Sequence, residues 1–179
     1  MGSRTIIIPV HNRRDTTLAC LRHLLATGDL GRSSIIVVDD GSEDGTSEAV
    51  SAEFPEVQIL RGDGNLWWTG AIALGMQRAS AAGTDAICWL NDDCLPAPET
   101  LEGLFNEAGV AGGQVVAPAC FNADTGEPVA NAFVGRDRIS VSSGQHQRVA
   151  GLSGFCVAFP RAVWARIGLP DPVLFPHYY

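Results

Sequence analysis

The fold of this chain is decided by residues 5–12, TIIIPVHN, and by residues 34–40, SIIVVDD. Each stretch is a run of branched apolar residues without polar alternation. Such runs are typical of strands that are buried on both faces, as in a parallel sheet covered by helices on either side. The two stretches therefore predict inner strands of an α/β sheet.

Outward from them, apolar runs of strand length alternate with segments of helical periodicity, as βαβ units require. In the first helical segment Leu18, Leu21 and Leu25 are spaced for one face of a helix. Thr46 and Thr69 are predicted helix N-caps. The sequence therefore predicts an α/β sandwich around a mostly parallel sheet. The further predicted strands are Val57–Leu60, Ala86–Leu90 and Val115–Pro118.

Residues 119–150 interrupt this pattern. They are rich in Gly, Ser, Asp and Asn, so we expect an irregular excursion that contains a hairpin. The alternation resumes with a strand at Ser153–Phe159 and a short helix at Arg161–Ile167. Because 179 residues suffice for one hydrophobic core, we expect a single domain over residues 1–179.

The charge balance excludes some partners. The chain has 12 Lys and Arg against 20 Asp and Glu, a net charge of −8. This disfavours a nucleic-acid partner and a polybasic membrane anchor, since both depend on a basic face. No apolar run approaches the roughly 20 residues that span a bilayer, so we expect a cytoplasmic protein. The five cysteines form no zinc-type cluster and are expected to be small, buried, reduced thiols.

Adjacent acids follow two of the predicted strands, at the edge where open α/β sheets bind ligands. Repulsion between adjacent carboxylates is relieved by a cation or by hydrogen-bond donors. Asp92 and Asp93 are interpreted either as half of a Mg²⁺ or Mn²⁺ site, completed by a diphosphate, or as a solvated loop before a helix. Asp39 and Asp40 form either a turn and helix cap or an acceptor for a base N–H or a ribose hydroxyl.

Several common site motifs are missing. The sequence has no phosphate loop of the G-x-x-x-x-G-K-[ST] type, and the dinucleotide fingerprint fails because Trp67 stands at its third glycine position. It has no G-x-S-x-G nucleophile elbow, and its four histidines are scattered. A metal-dependent enzyme that acts on a phosphorylated donor remains compatible with the sequence.

Four further segments stand in order along the chain: 6–13, IIIPVHNR; 37–42, VVDDGS, with Asp44 and Thr46; 64–71, GNLWWTGA; and 89–93, WLNDD. Together they resemble the family 2 glycosyltransferases, which have the GT-A fold, a three-layer sandwich. Residues 64–71 are most similar to rhamnosyltransferase-like members. Residues 167–178 resemble the segment of the family that leads into the acceptor side of the site.

The resemblance implies a metal-assisted, inverting transfer of a sugar from a UDP- or dTDP-linked donor to a saccharide or lipid-linked acceptor. A lipid-linked acceptor leaves open a peripheral membrane association of the full enzyme. Asp93 takes the place of the metal ligand, for Mg²⁺ or Mn²⁺, and Asp92 is a second ligand or orients the sugar or ribose. The implied donor-binding residues are Pro9, Val10, His11, Asn12, Asp39, Asp40, Asn65, Trp67, Gly70, Asn91 and Asp92.

The catalytic base has no assigned residue. In the family it follows a Phe-x-x-Tyr segment, so we expect it beyond Tyr179, with Asp171 as the nearest internal acid. His177 is either an extra metal ligand or a packed ring. Trp67 and Trp68 are interpreted as core residues or as a wall on which a base or sugar ring stacks.

Two alternatives stay open at this point. One is a sugar-nucleotide pyrophosphorylase, which expects a glycine-rich loop directly after the first strand, where this chain has Pro9–Asn12. The other is a non-catalytic module that binds a nucleotide-sugar without transferring it.

Overall fold

The computed structural model describes residues 2–109, 113–141, 144 and 146–175, which form ten strands and six helices. The strands are β1 (Arg4–Val10), β2 (Ser34–Asp39), β3 (Gln58–Arg61), β4 (Ala86–Leu90), β5 (Cys120–Phe121), β6 (Pro128–Val129), β7 (Ala132–Val134), β8 (Asp137–Ile139), β9 (Gly151–Leu152) and β10 (Cys156–Pro160). The helices are α1 (Arg14–Ala26), α2 (Asp29–Arg32), α3 (Thr46–Glu53), α4 (Trp67–Ala81), α5 (Thr100–Ala108) and α6 (Arg161–Ile167).

A five-stranded sheet in the order β10-β4-β1-β2-β3 forms the centre. Strands β1 to β4 run parallel to one another, and β10 joins the β4 edge antiparallel. The predicted mostly parallel sheet is therefore confirmed. Because β1 to β4 are parallel, their carboxyl ends lie at one edge of the sheet.

Helices cover both faces of the sheet, which explains the absence of polar alternation in β1. Ile6 and Ile8 point to one face and pack with apolar residues of α1, α3 and α5. Ile7 points to the other face and packs with residues of α4 and α6. All three isoleucines are fully buried. The result is the three-layer arrangement that the sequence predicts.

Three local predictions are wrong. The run Val115–Pro118 forms no strand among the described residues and makes a single bridge, between Val116 and Ala158; Pro118 has no N–H with which to continue a ladder. Thr46 is the first residue of α3, after an N-cap at Gly45, and Thr69 lies inside the first turn of α4. The N–H groups at these two helix starts are bonded by carboxylates instead: Asp44, just before α3, accepts from Thr46, and Asp40, in the loop after β2, accepts from Trp67.

The excursion at 119–150 contains two hairpins where one was expected. Strands β5 and β6 form the first, and β7 and β8 form the second, which β9 extends to a three-stranded sheet. Asn131 connects the excursion to its surroundings. Its side-chain NH₂ group donates to the Pro118 carbonyl at 2.8 Å, and its backbone carbonyl accepts the Ser153 N–H at 2.8 Å.

Among the described helices none has the length and apolar character needed to cross a membrane.

The five cysteines are free thiols, as expected, although only Cys20, Cys88 and Cys156 are fully buried. Burial raises the pKa of Cys20 to about 12 and the pKa of the half-buried Cys120 to about 11, from 9.0. A thiol stays neutral below its pKa, so these groups remain uncharged at physiological pH.

We predict that the native protein reacts slowly with a thiol reagent at pH 8. A thiol of pKa about 11 holds about 100-fold less thiolate than one of pKa 9. Folding raises these pKa values, so the unfolded chain loses its thiol protons at a lower pH than the native protein does. The contribution of the neutral thiols to the free energy of unfolding is therefore fully present below about pH 9 and is lost as the pH rises further. Reaction of native and unfolded chain with Ellman's reagent checks this, and fast native labelling of Cys20 or Cys120 would contradict it.

We predict that Gly75→Ala lowers the free energy of unfolding by about 1–3 kcal/mol through overpacking. A Cβ at Gly75, on α4, would lie 2.4 Å from Cγ2 of Ile7 and 3.3 Å from Cγ2 of Val38, both buried. Gly103→Ala in α5 is the matched control, since a Cβ there meets nothing within 4 Å. It should stabilise the helix by about 0.5–1 kcal/mol. Urea denaturation of both variants gives the comparison, and equal effects would contradict the packing argument.

Candidate functional site

The loop after β1 is hydrogen-bonded to the loop after β2. The ring Nδ1 of His11 lies 2.6 Å from the Asp40 carbonyl. Asn12 donates its backbone N–H to Oγ of Ser42 at 2.8 Å and accepts the Glu43 N–H at its side-chain oxygen at 2.8 Å. Asn12 makes these bonds from a left-handed conformation, φ 51°, which asparagine tolerates better than most residues. His11 and Asn12 are exposed, whereas the predicted binding residues Pro9 and Val10 are half-buried and buried in the strand.

The loops that follow all four parallel strands lie at the same edge of the sheet. We call residues 11–13, 40–42, 62–67 and 91–93 the rim; each group follows one of the strands β1 to β4. The rim brings together most of the residues that the sequence analysis selected, although their binding roles stay predictions.

Asp39 and Asp40 are buried and bonded to protein N–H and O–H groups. Asp39 accepts the Ser42 N–H at 2.9 Å and the hydroxyl of Ser47. Asp40 accepts the Gly64 N–H at 2.9 Å and the Trp67 N–H at 2.8 Å. The turn-and-cap interpretation describes these bonds, since Trp67 is the first residue of α4. Contact of either carboxylate with a base or ribose stays a prediction.

The loops after β2 and β3 approach so closely that glycine is required. A Cβ at Gly41 would lie 2.8 Å from the Gly64 nitrogen, and Gly41 has φ 70°. A Cβ at Gly62 would lie 2.5 Å from Oδ1 of Asp40. This close packing holds the segment that leads to the exposed Asn65 and to Trp67, whose side chain is 52% exposed.

Asp44, which directly follows this part of the rim, connects two helices. One carboxylate oxygen accepts the Thr46 N–H at 3.0 Å and the Thr46 hydroxyl at 2.5 Å, at the start of α3. The other accepts the Arg14 N–H at 2.9 Å, at the start of α1. The hydrogen bond from the Thr46 hydroxyl lowers the pKa of Asp44. This single acid therefore fixes where both helices begin.

The two neighbouring tryptophans of α4 have different surroundings. Trp68 is half-buried, donates its Nε1–H to Oδ1 of Asn91 at 3.0 Å and meets Trp89 edge to face at 5.5 Å. Trp67 lies on the exposed side of the rim. The core interpretation therefore fits Trp68, and a stacking role for Trp67 stays a prediction. Gly70 is buried on the same helix, beneath Leu66 and Pro172.

Arg13 lies between the two acids that follow β4. Its Nε is 3.0 Å from Oδ1 of Asp92, and its Nη2 is 3.1 Å from Oδ2 of Asp93. Thr17 donates its hydroxyl to the other Asp92 oxygen at 3.0 Å. The Asp92 side chain is 4% exposed and that of Asp93 is 55% exposed. Burial raises the pKa of Asp92, and Arg13 and Thr17 partly oppose this rise.

The oxygen donors at this point suit a hard cation that brings its own ligands. In the part of the chain that the structure describes, no three His, Cys, Asp or Glu side chains converge to hold a metal. Mg²⁺ and Mn²⁺ sites often use one or two carboxylates and complete their shell with phosphate and water oxygens. Asp93, the more exposed acid, fits that requirement, whereas Asp92 is buried and its Oδ2 accepts hydrogen bonds from both Arg13 and Thr17.

The remaining predicted residues lie near the end of the chain. Asp171 accepts the N–H groups of Val173 at 2.8 Å and Leu174 at 3.2 Å, so its carboxylate caps a turn. His177, Tyr178 and Tyr179 lie outside the described residues.

Sequence analysis missed Arg13 and Thr17 as members of the site. Arg13 stands within the first motif of the resemblance, and the signal that points to it is a cation at a strand end in a chain rich in acid. Thr17 carries no such signal, because its contact with Asp92 bridges 75 residues and depends on the packing of α1 beside β4.

Comparisons with known proteins agree with this geometry. The model of the family described as Glycosyl transferase family 2 matches residues 5–160. The glycosyltransferase AglE of Haloferax volcanii is 30% identical over 102 residues, which are 55% of this chain and 33% of that protein.

Two solved structures share the fold at low sequence identity. The mannosyltransferase PcManGT of Pyrobaculum calidifontis, in complex with GDP-Man and Mn²⁺, has a TM-score of 0.67 and 18% identity over 94% of this chain. TarS 1–349 of S. aureus has a TM-score of 0.65 and 16% identity over 92% of this chain. The chain covers 47% and 49% of those two structures, about half their length. These similarities confirm the expected GT-A architecture.

We predict that Asp40→Ala destabilises the fold by about 1–3 kcal/mol, because it leaves the N–H groups of Gly64 and Trp67 without their acceptor. Asp63→Ala is the control, since Asp63 is exposed and accepts the neighbouring Asn65 N–H. Its effect should stay within about 0.5 kcal/mol. Chemical denaturation measures both, and a loss in Asp40→Ala no larger than the control would rule out the cap.

Proposed function

The chain belongs to glycosyl transferase family 2, and on this premise we propose that residues 1–179 act as one domain that binds a nucleoside-diphosphate sugar at the rim for sugar transfer. Relatives of the same fold support a donor of this class. PcManGT is solved with GDP-Man and Mn²⁺, TarS with UDP-GlcNAc, and the M. tuberculosis glucosyl-3-phosphoglycerate synthase, at a TM-score of 0.53, with UDP and Mn²⁺.

The observation that carries the proposal is the exposed carboxylate of Asp93 at the carboxyl end of β4. Asp93 is the residue that we propose as ligand of Mg²⁺ or Mn²⁺, in preference to the buried Asp92. When bound, the divalent cation neutralises the charge that builds up on the leaving diphosphate. Asp93 itself supplies a hard oxygen ligand beside the guanidinium of Arg13. Because Arg13 is paired with two carboxylates, the bound cation is what would give this end of the rim positive charge toward the diphosphate.

The other end of the rim is suited to the nucleoside. Trp67 presents a partly exposed indole, which offers a flat apolar face to a base or sugar ring. His11 and Asn65 are exposed on the same rim. Both ring nitrogens of His11 already have protein partners, the Asp40 carbonyl and the Asn12 amide, so Asn65 is the better placed of the two to bond a base or a ribose hydroxyl. Asp40 holds the loop of Asn65 and Trp67 in place. We propose UDP or dTDP as the nucleotide.

The transfer that we propose is inverting and uses a saccharide or lipid-linked acceptor. It needs a carboxylate base that removes the proton of the acceptor hydroxyl. We do not assign this role to Asp171, because one of its carboxylate oxygens accepts two N–H groups and holds the side chain in its own turn.

We predict that the chain binds UDP, dTDP or GDP more tightly with Mn²⁺ than without it, and that Asp93→Asn loses this gain. A loss of one carboxylate ligand should cost about tenfold or more in the Mn²⁺-dependent affinity, about 1.4 kcal/mol. Isothermal titration calorimetry with each nucleotide, with Mn²⁺ and with EDTA, measures it.

Glu56→Gln is the control, since it removes one negative charge from an exposed residue before β3, at the opposite edge of the sheet. It should bind as the unchanged chain does. Nucleotide binding that ignores Mn²⁺, or an Asp93→Asn variant that matches Glu56→Gln, would refute the proposed metal role. Binding without turnover of any sugar nucleotide would favour the non-catalytic module.

A further inference from the structure

We propose that Arg13 is a positioning residue whose guanidinium lies between Asp92 and Asp93 as long as no metal is bound. When a divalent cation binds, Arg13 breaks its ion pair with Asp93 and retains its ion pair with Asp92. This inference rests on the proposed function, because it takes Asp93 as the metal ligand. It assigns to Arg13 control over how tightly the metal binds before the donor arrives.

The contacts of the guanidinium are divided between the two acids. Nε is bonded to Asp92 and Nη2 to Asp93, at 3.0 and 3.1 Å, so one planar group bridges both carboxylates. The three charges sum to −1. A divalent cation that takes Oδ2 of Asp93, or both carboxylate oxygens, would therefore displace Nη2 from Oδ2, and at either oxygen it would be repelled by the guanidinium charge.

The two bonds differ in how readily they break. Asp92 is buried, and removing the counter-ion of a buried carboxylate strongly destabilises the folded protein. Asp93 is exposed, and water or a metal ion replaces the partner of an exposed carboxylate at little cost. Arg13 itself is 43% exposed, so its guanidinium has room to turn. The bond to Asp93 is therefore the one that opens.

The neighbouring arginine does not share this arrangement. Arg14 pairs with Asp15 at 3.3 Å, and the Asp15 side chain is 89% exposed. Arg14→Gln thus removes the same charge one residue away without touching Asp92 or Asp93, which makes it a matched control.

The test is the binding of Mn²⁺ alone, without nucleotide, measured from the electron paramagnetic resonance signal of free Mn²⁺. Arg13→Gln should bind Mn²⁺ about tenfold more tightly than the unchanged chain, the scale of one removed like charge a few ångström away in a solvated site. Arg13→Lys keeps the charge and should stay close to the unchanged chain, as should Arg14→Gln. Adding Asp93→Asn to Arg13→Gln should abolish the gain.

A second variant protects the test against misfolding, since Arg13→Gln leaves Asp92 buried without a counter-ion. Arg13→Gln with Asp92→Asn removes both charges and keeps the sum at −1, with the Asp93 oxygens free. It should still bind Mn²⁺ more tightly than the unchanged chain. Thermal unfolding of each variant identifies those that fold.

The outcomes separate this inference from the proposed function. If neither folded variant binds Mn²⁺ more tightly than the unchanged chain, the role of Arg13 is refuted, whether or not the unchanged chain binds the metal through Asp93. If instead the gain in Arg13→Gln survives Asp93→Asn, the competition at Asp93 is wrong. If the unchanged chain and Asp93→Asn respond alike to Mn²⁺ with UDP, the proposed metal site itself is wrong.

Discussion

The structure depends on β1, which lies in the middle of the sheet between β2 and β4 and is buried on both faces. Ile6 and Ile8 fill one core layer and Ile7 the other, so a single strand joins the two helical layers. Full burial of three such side chains contributes roughly 1.5–3 kcal/mol each. The loop after the carboxyl end of this strand contacts the segments that follow both neighbouring strands, β2 and β4.

That loop makes the rim continuous. His11 and Asn12 bond to the segment after β2, and Arg13 reaches the acids after β4. The Asp40 carboxylate then connects the segment after β2 to the segment after β3. The rim is thus connected by hydrogen bonds and ion pairs from β4 to β3, in the order in which the strands lie in the sheet. A ligand that binds there meets a surface set in place by the sheet.

The two pairs of adjacent acids at the strand ends have different hydrogen-bond and ion-pair partners, and these partners determine which acid a ligand can reach. The carboxylates of Asp39 and Asp40 accept hydrogen bonds from protein N–H and O–H groups, which hold the loops at this edge in place. Asp92 is satisfied by a guanidinium and a hydroxyl. Asp93 shares that guanidinium while facing solvent, and of the two acids beside Arg13 it is therefore the one that a metal ion can reach at the lower cost.

The sequence by itself determined the layers and the edge at which the site lies. Buried parallel strands need continuous apolar runs, and residues 5–10 and 34–38 show them, so β1, β2 and the edge with Asp39, Asp40, Asp92 and Asp93 could be predicted. The caps of α3 and α4 could not, because α3 is capped by Asp44, two residues before its first residue, and α4 by Asp40 from the loop after β2, and not by Thr46 and Thr69. Tertiary structure alone decided which acid is buried and which is exposed, because adjacent residues in a chain carry the same local signal. The difference between Asp92 and Asp93 comes from α1, which brings Arg13 and Thr17 across about 80 residues of sequence to bond one carboxylate inside and leave the other at the surface.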